Sequence, residues 1–478
     1  MAISRKFTIF FLVVFLLSVL LRLGLTLVNR EANDDHMEVV NIILATHRLP
    51  TMQDCGECVQ PKLFHFTVAK IIEGLGLANA SYLTRILVVQ LINFLAGVLV
   101  LIIIGLLIKD LPVKNEKLKL LAFSLVALNP ALIGINSQVT NDTFAILFST
   151  LALYFTYVFL QRQKIRTFLL ILFFTLLGIS TKTNVWVTAI AILMVLFIQA
   201  WVQKEQRIRT LLFSVIFFLT VAVLTIVNPL SQYITNYQEY GTPASINVPR
   251  PPFPNWINWT PGCELGQPYC RPGILSIQSG FFTFMFDKLL ISPRVTHEIE
   301  NYPQFRISFW SMMYAGAHSV HFFNYPPTWS TTGTQGFTLL RAILLLALIP
   351  TSLLMLGFAI ETFYVIKSIF KRDLATAHMT GSGLYAISFI GYVLFAILYT
   401  MLYRDFAVMK AIFVYPALLV FPVLFLRAVE PLYDFLSKHI RWSTFLLDAG
   451  IVALLVLYVV DIGTLIAQIY LHRYPFIL

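Results

Sequence analysis

Residues 82–108 read YLTRILVVQLINFLAGVLVLIIIGLLI, with no charged side chain between Arg85 and Lys109. A helix rising 1.5 Å per residue over such a run is long enough to cross a hydrocarbon core about 30 Å thick. Runs of the same kind recur at 7–28, 118–135, 143–160, 167–180, 184–202, 210–228, 337–366, 382–402, 407–426 and 446–470, separated by short polar clusters. The 478-residue chain is 58% hydrophobic and 12% charged, against about 25% charged in soluble domains. No water-soluble packing hides that much apolar surface. The expectation is an all-α polytopic membrane protein of about eleven spans, forming one domain over 1–478.

The net charge of +11 falls in small groups between apolar runs rather than in one basic face, which argues against nucleic acid as a partner. Alternate connections hold Arg5 and Lys6; Lys109, Lys114, Lys117 and Lys119; Arg162, Lys164 and Arg166; Lys204, Arg207 and Arg209; Lys367, Lys371 and Arg372; and Arg427, Lys438 and Arg441. The other short connections have no such clusters, so the N-terminus is expected in the cytoplasm and the C-terminus outside. The first apolar run lacks a small-residue cleavage pattern before Asn33 and reads as a retained span. Arg22, near its outer end, is expected to snorkel to the interface.

Two expected outer segments, 29–81 and 229–336, break the rhythm of span and short turn, and long loops of this kind commonly carry function. The first contains a helical section from Asp34 to Arg48, expected to lie along the membrane surface, and an aromatic stretch from Leu63 to Leu77 that is too polar for an easy crossing. The second runs through Pro249-Arg250-Pro251-Pro252-Phe253-Pro254 and holds Trp256, Trp259, Trp310 and Trp329. Its segments 274–291 and 305–323 are candidate interfacial or re-entrant helices. All four cysteines, Cys55, Cys58, Cys263 and Cys270, lie in these two segments. The placement fits an oxidising compartment and favours disulfides, while a four-thiolate zinc site would draw on the same residues.

Charges at the edge of a lipid bundle are costly without a partner or a task. On the expected outer face stand Asp34, Asp35, His36 and Glu38 after the first span, and Asn141 and Asp142 before the fourth. Lys182 lies in the turn between the fifth and sixth, and Arg404 and Asp405 between the ninth and tenth, with Lys410 one turn on. Singly, each has an ordinary reading: Asp142 as a helix cap, Lys182 and Arg404 as interfacial anchors. Together they place carboxylates and cations around one cavity. That set suits transfer from a phosphate-linked donor, where a carboxylate takes the acceptor's proton and cations stabilise the leaving phosphate. There is no Gly-rich nucleotide loop, so a lipid-soluble donor fits better than a soluble nucleotide.

The order Asn33-Asp34-Asp35-His36, Arg48-Leu49-Pro50, then Cys55-Gly56-Glu57-Cys58-Val59-Gln60-Pro61-Lys62-Leu63-Phe64-His65 resembles the first outer loop of bacterial GT-C glycosyltransferases related to protein O-mannosyltransferases. Those proteins show an acidic pair after the first span and a downstream His-Pro-Pro-Leu-Tyr-Tyr stretch, from which Lys62 and His65 depart. The resemblance continues through Asn129-Pro130, Asn141-Asp142, Thr181-Lys182 and Arg404 before Tyr415-Pro416. It implies a polyprenyl- or dolichyl-phosphate sugar donor, inverting transfer and an Asp general base. By carry-over the base is Asp34 or Asp35, with Asp34 preferred. Asp142 matches a second acidic position, and Lys182 and Arg404, with Lys62, are candidates for the donor phosphate. His36, His65 and Asn141 complete the candidate site.

A divalent metal is possible in such a site and is not required by it; Asp34, Asp35, His36 and Asp142, with His318 and His321 further off, offer oxygen and nitrogen ligands. Asn79-Ala80-Ser81, Asn141-Asp142-Thr143 and Asn258-Trp259-Thr260 match the N-glycosylation pattern, which matters only in a eukaryotic host. Asp461, inside the last run, is expected to face protein. The expected partners are a lipid-linked sugar, a protein, lipid or glycan acceptor, and membrane lipid. The rival reading is a transporter or flippase for a lipid-linked anion, which predicts broken helices and internal repeats; no repeat is visible. A third reading is a receptor or assembly subunit without catalysis, indifferent to the acids.

Overall fold

The computed structural model describes residues 4–30, 32, 35–202, 207–241, 243, 281–291, 308–319, 334–371, 379–403, 410–440 and 442–473. Within them the chain is helical, with no strand. The first half holds α1 (Arg5–Val28), α2 (His36–Thr46), α3 (Leu63–Gly74), α4 (Tyr82–Asp110), α5 (Glu116–Ala127), α6 (Pro130–Asn136), α7 (Asp142–Arg162) and α8 (Ile165–Thr181). It continues with α9 (Trp186–Val202), α10 (Arg207–Val227), α11 (Tyr233–Tyr240), α12 (Phe286–Ile291) and α13 (Phe309–His318). The last four are α14 (Thr334–Lys371), α15 (Met379–Tyr403), α16 (Val420–His439) and α17 (Ser443–Arg473).

Eight of these helices are long and apolar enough to cross a membrane, or nine if α5 and α6, bent by 50° at their junction, make one broken span. The predicted run 118–135 is that bent pair, and 167–180 is the apolar helix α8. The predicted run 407–426 is not one helix. From Ala411 to Ala417 it makes two 3-10 turns, and α16 then runs on to His439. Pro416 has no N–H for an α-helical ladder and disfavours helical backbone at Tyr415, so the helix starts only after it.

The outer shell is apolar because it meets lipid: Leu12, Val13, Leu16 and Leu20 of α1 and Phe218, Leu219 and Val223 of α10 are all exposed. With lipid as solvent, helices associate through close packing rather than through escape from water. At Gly357 of α14 an added Cβ would lie 1.8 Å from the Leu424 carbonyl oxygen of α16, so only glycine allows these two backbones to meet.

Arg22 does not snorkel. It is fully buried, donating from Nε to Asn136 Oδ1 at 2.9 Å and from Nη1 to the Ala127 carbonyl at 2.7 Å, with a further bond to Ser18 Oγ. Ala127 ends α5, and the last carbonyls of a helix have no partner within it. Ser18 Oγ donates to the same carbonyl at 2.6 Å. A cation and a hydroxyl one turn apart on α1 thus satisfy the α5 end where the chain bends into α6.

The first loop packs back onto the bundle. Met37, Val40, Ile43 and Leu44 of α2 bury against Phe64, Val68 and Ile72 of α3. Cys55 and Cys58 form a buried disulfide within the turn between these helices, so neither is a free thiolate for zinc. Cys263 and Cys270 lie outside the described residues. The loop is fastened to the start of the second long segment, where Lys62 N donates to the Leu230 carbonyl at 2.7 Å and Gln232 Nε2 to the Pro50 carbonyl at 3.0 Å.

Candidate active site

Asn129 caps α6 by accepting from Leu132 N at 3.0 Å, and Pro130 occupies the first turn, the arrangement that starts a short helix sharply. In the loop that follows, 137–141, Ser137 N and Gln138 N donate back to the Gly134 and Ile135 carbonyls of α6, and three of the loop's own carbonyls are taken by side chains. Asn29 Nδ2 holds the Ser137 carbonyl at 3.1 Å, and Asn93 Nδ2 holds those of Gln138 and Thr140 at 2.7 and 2.8 Å. Three amide side chains from α1's end, α4 and the α6 cap therefore fix where α7 begins.

At that beginning Asp142 Oδ1 accepts from Lys182 Nζ at 2.6 Å, and Oδ2 accepts from Thr140 Oγ1 at 2.9 Å. The Asp142 side chain is 8% exposed and that of Lys182 14%. Neither the capping reading of Asp142 nor the anchor reading of Lys182 describes this: the two side chains spend their charge on each other. Lys182 stands in extended backbone just after α8, which turns its side chain back toward α7. Its ammonium also lies 5.7 Å from the Phe413 ring centre, a cation held over an aromatic face. Asn141 Nδ2 donates to the Thr181 carbonyl at 3.3 Å and to Gln60 Oε1, while its own Oδ1 is buried without a partner.

Beside this group, His36 Nδ1 lies 3.0 Å from His65 Nε2, with the Phe64 ring edge-on to both imidazoles. Burial pushes His65 well below the usual imidazole range, and the fields of His36, Lys62 and Lys182 push it the same way. Lys62, expected at the donor phosphate, is fully buried with Nζ bonded to the Cys58 carbonyl and, at 2.7 Å, to that of Gln60. Burial draws it down to about 7, with Glu57 and Asp54 opposing. As placed, Lys62 braces the turn whose Gln60 reaches Asn141.

The fold thus brings His36, His65, Asn141, Asp142 and Lys182 together, with Lys62 behind them. Asp35 stands apart: it is exposed and lines a separate hollow of about 430 Å³ with Glu38, Asn41, Thr46 and Tyr82 on the outer face of α2. Asp34, Arg404, Asp405 and His321 lie outside the described residues. His318 is held by Tyr458 Oη at 2.6 Å and Thr351 Oγ1 at 2.9 Å, a structural setting that occupies both ring nitrogens. Among the described residues no three His, Cys, Asp or Glu side chains gather as metal ligands. Sequence reasoning did not assign Gln60, Thr140, Phe413, Asn29 or Asn93; the asparagines gave a signal, as amides at the edge or inside of apolar runs.

Residues 82–227 match a family described as dolichyl-phosphate-mannose-protein mannosyltransferase. A comparison with curated proteins returned no match. Among solved structures, the chain is similar to the archaeal oligosaccharyltransferase AglB from Archaeoglobus fulgidus, determined in complex with an inhibitory peptide and a dolichol-phosphate. The TM-score is 0.50 at 12% identity, covering 98% of this chain and 56% of that one. The chain therefore spans little more than half the length of that protein. Helical architecture and family match agree, and the chain is a polytopic membrane protein of the GT-C fold, similar over 82–227 to the dolichyl-phosphate-mannose-protein mannosyltransferases.

Proposed function

We propose that the chain is a glycosyltransferase that moves a sugar from a polyprenyl- or dolichyl-phosphate donor to an acceptor on the extracytoplasmic side of the membrane, with inversion at the anomeric carbon. The observation that carries this reading is the Asp142–Lys182 pair, buried against Asn141 and the first-loop turn at one end of the bundle. An ammonium has three donors and Asp142 takes one, so two remain for oxygens of a departing phosphate. In a partly dry site such donors are worth more than in water, because little solvent competes for the developing charge. The family match and the dolichol-phosphate bound to the AglB relative support a lipid-linked donor, and the peptide bound there supports a protein acceptor.

In the proposed step a first-loop carboxylate takes the proton of an acceptor hydroxyl or amide. The acceptor atom bonds to the anomeric carbon as the bond from that carbon to the phosphate oxygen breaks, and polyprenyl phosphate leaves with the electron pair. Asp34 is the proposed base. Asp35 is weakened in that role by its exposure, whereas His36 next to it is buried. Lys182 and Arg404 are proposed to receive the phosphate.

The test uses purified full-length protein with a short-chain polyprenyl-phosphate hexose and measures release of polyprenyl phosphate. Asp34→Asn and Lys182→Met should each lower the rate by about 100-fold or more, while Asp35→Asn keeps most of it. Full transfer by Asp34→Asn would remove Asp34 as the base. The bend between α5 and α6 is the feature a transport reading predicts. A transporter, however, releases no polyprenyl phosphate from a donor in detergent solution, so the same assay separates the two.

A further inference from the structure

The α7–α8 connection, 162–165, and the start of α10 lie at the same end of the bundle, since Arg209 Nη2 donates to the Gln163 carbonyl at 3.0 Å. Asp142 and Lys182 stand at the opposite end of α7 and α8, so anything bound here is separate from the candidate site. Where α9 ends and α10 starts, Phe197, Ile198, Trp201, Arg207, Leu211 and Ile369 line a cavity of about 440 Å³. Every one of these except Arg207 is apolar or aromatic. The Arg207 guanidinium lies 5.8 Å from the Trp201 ring centre, and among the described residues no carbonyl or carboxylate accepts from it. Its neighbour Arg209 is committed to the Gln163 carbonyl, whereas Arg207 lines the slot and is exposed, with its donors open among the described residues.

We propose that this slot binds one glycerophospholipid of net negative charge, its phosphate on Arg207 and an acyl chain along Phe197, Leu211 and Ile369. The walls belong to membrane-spanning helices and their surroundings are lipid-facing, with Ile208 85% exposed and Phe370 82% exposed. A soluble anion would satisfy Arg207 and leave the apolar walls unfilled. A zwitterionic lipid would bring its ammonium toward the guanidinium. An anionic phospholipid meets both requirements: planar N–H donors match phosphate oxygens, and the chain fills the slot. Trp201 fixes the guanidinium at headgroup depth, as interfacial tryptophans do. Such a lipid would tie α9 and α10 to α14 at a face where protein contacts leave a gap.

The proposal is independent of the glycosyltransferase reading, and its test does not use activity. Full-length protein in neutral detergent is mixed with equal amounts of phosphatidylglycerol and phosphatidylcholine, and bound lipid is counted by native mass spectrometry. Phosphatidylglycerol should be retained at one preferred site. Arg207→Gln, which removes the charge from an exposed position, and Leu211→Trp, which fills the slot, should each weaken it by about tenfold. Arg162→Gln, at the same end but away from the cavity, should leave it unchanged. Equal retention of the two lipids, or undiminished phosphatidylglycerol binding in both slot variants, would overturn the proposal. So would displacement of the lipid by millimolar inorganic phosphate, which would mark an ion site only, or by polyprenyl phosphate at equal concentration, which would assign the slot to the donor's tail.

Discussion

A buried ion pair at a bundle edge adds little net stability, because desolvation of both charges offsets most of their attraction, yet removing one partner strands the other. For Asp142 and Lys182 this predicts an asymmetry between folding and function. Asp142→Ala alone should lower stability by about 3 kcal/mol, while the double variant Asp142→Leu with Lys182→Met recovers most of that loss in thermal unfolding and none of the transferase rate. Recovery of both would make the pair structural. Lys62 supplies a pH signature at the same scale. Its ordinary value of 10.5 is drawn down to about 7 in the folded chain, so between those values the unfolded chain binds the extra proton and stability rises with pH, by up to about 1.4 kcal/mol per unit. His65, held well below 6.5 in the folded chain, acts in the same direction on the acid side, where stability falls as pH drops below 6.5. Melting temperatures measured from pH 5 to 10 should therefore climb in two windows; Lys62→Met should flatten only the alkaline one and His65→Gln only the acid one.

At the scale of elements, the approach of α14 to α16 hangs on a missing side chain. Gly357→Ala would set a methyl group 1.8 Å from the Leu424 carbonyl oxygen and 2.6 Å from its carbon, both backbone atoms that cannot swing aside. The helices must separate, and a loss of about 3 kcal/mol or more is expected in thermal unfolding. Gly74→Ala, at the end of α3 with nothing within 4 Å, should instead stabilise by about 0.5–1 kcal/mol. The contrast shows what a linear sequence conceals: both positions are a glycine in a helix, and only the packing partner separates them. Spans such as 82–108 were legible because apolar length alone defines them. Arg22 was misread because its burial depends on Ala127 and Asn136, more than a hundred residues away, arriving at the same depth. The α5–α6 bend had a local sign in Asn129-Pro130, whereas the late start of α16 had one in Tyr415-Pro416 that a smooth hydropathy profile hides. Of the site, Asp142 and Lys182 were named from the sequence as separate charges on one face and the structure pairs them directly, while Gln60 and Phe413 were given no role, since neither is a charged group that apolar surroundings would make conspicuous.

For the whole molecule, the decisive property is that its two ends differ in kind. One end holds the 162–165 connection with Arg162, Lys164 and Arg166, the start of α10 with Arg207 and Arg209, and the Arg207 slot. The other holds the α2–α3 loop, the Cys55–Cys58 disulfide and the Asp142–Lys182 pair. Positive charge in short connections tracks the cytoplasmic side, and disulfides persist in oxidising compartments, so two unrelated physical effects support the proposed orientation, with the candidate site outside. In that proposed orientation an extracytoplasmic acceptor would reach the candidate site. The orientation can be measured without any assay of transfer. In a chain with Cys263 and Cys270 replaced by serine, the disulfide leaves no free thiol among the remaining cysteines. A single cysteine at Gly76, exposed at the end of α3, should then react with a membrane-impermeant maleimide added to intact cells or spheroplasts. One at Arg162, exposed at the end of α7, should react only after permeabilisation. The reverse pattern would place the Asp142–Lys182 pair in the cytoplasm, where nucleotide sugars rather than lipid-linked ones abound, and would remove the reason for coupling this site to a polyprenyl donor.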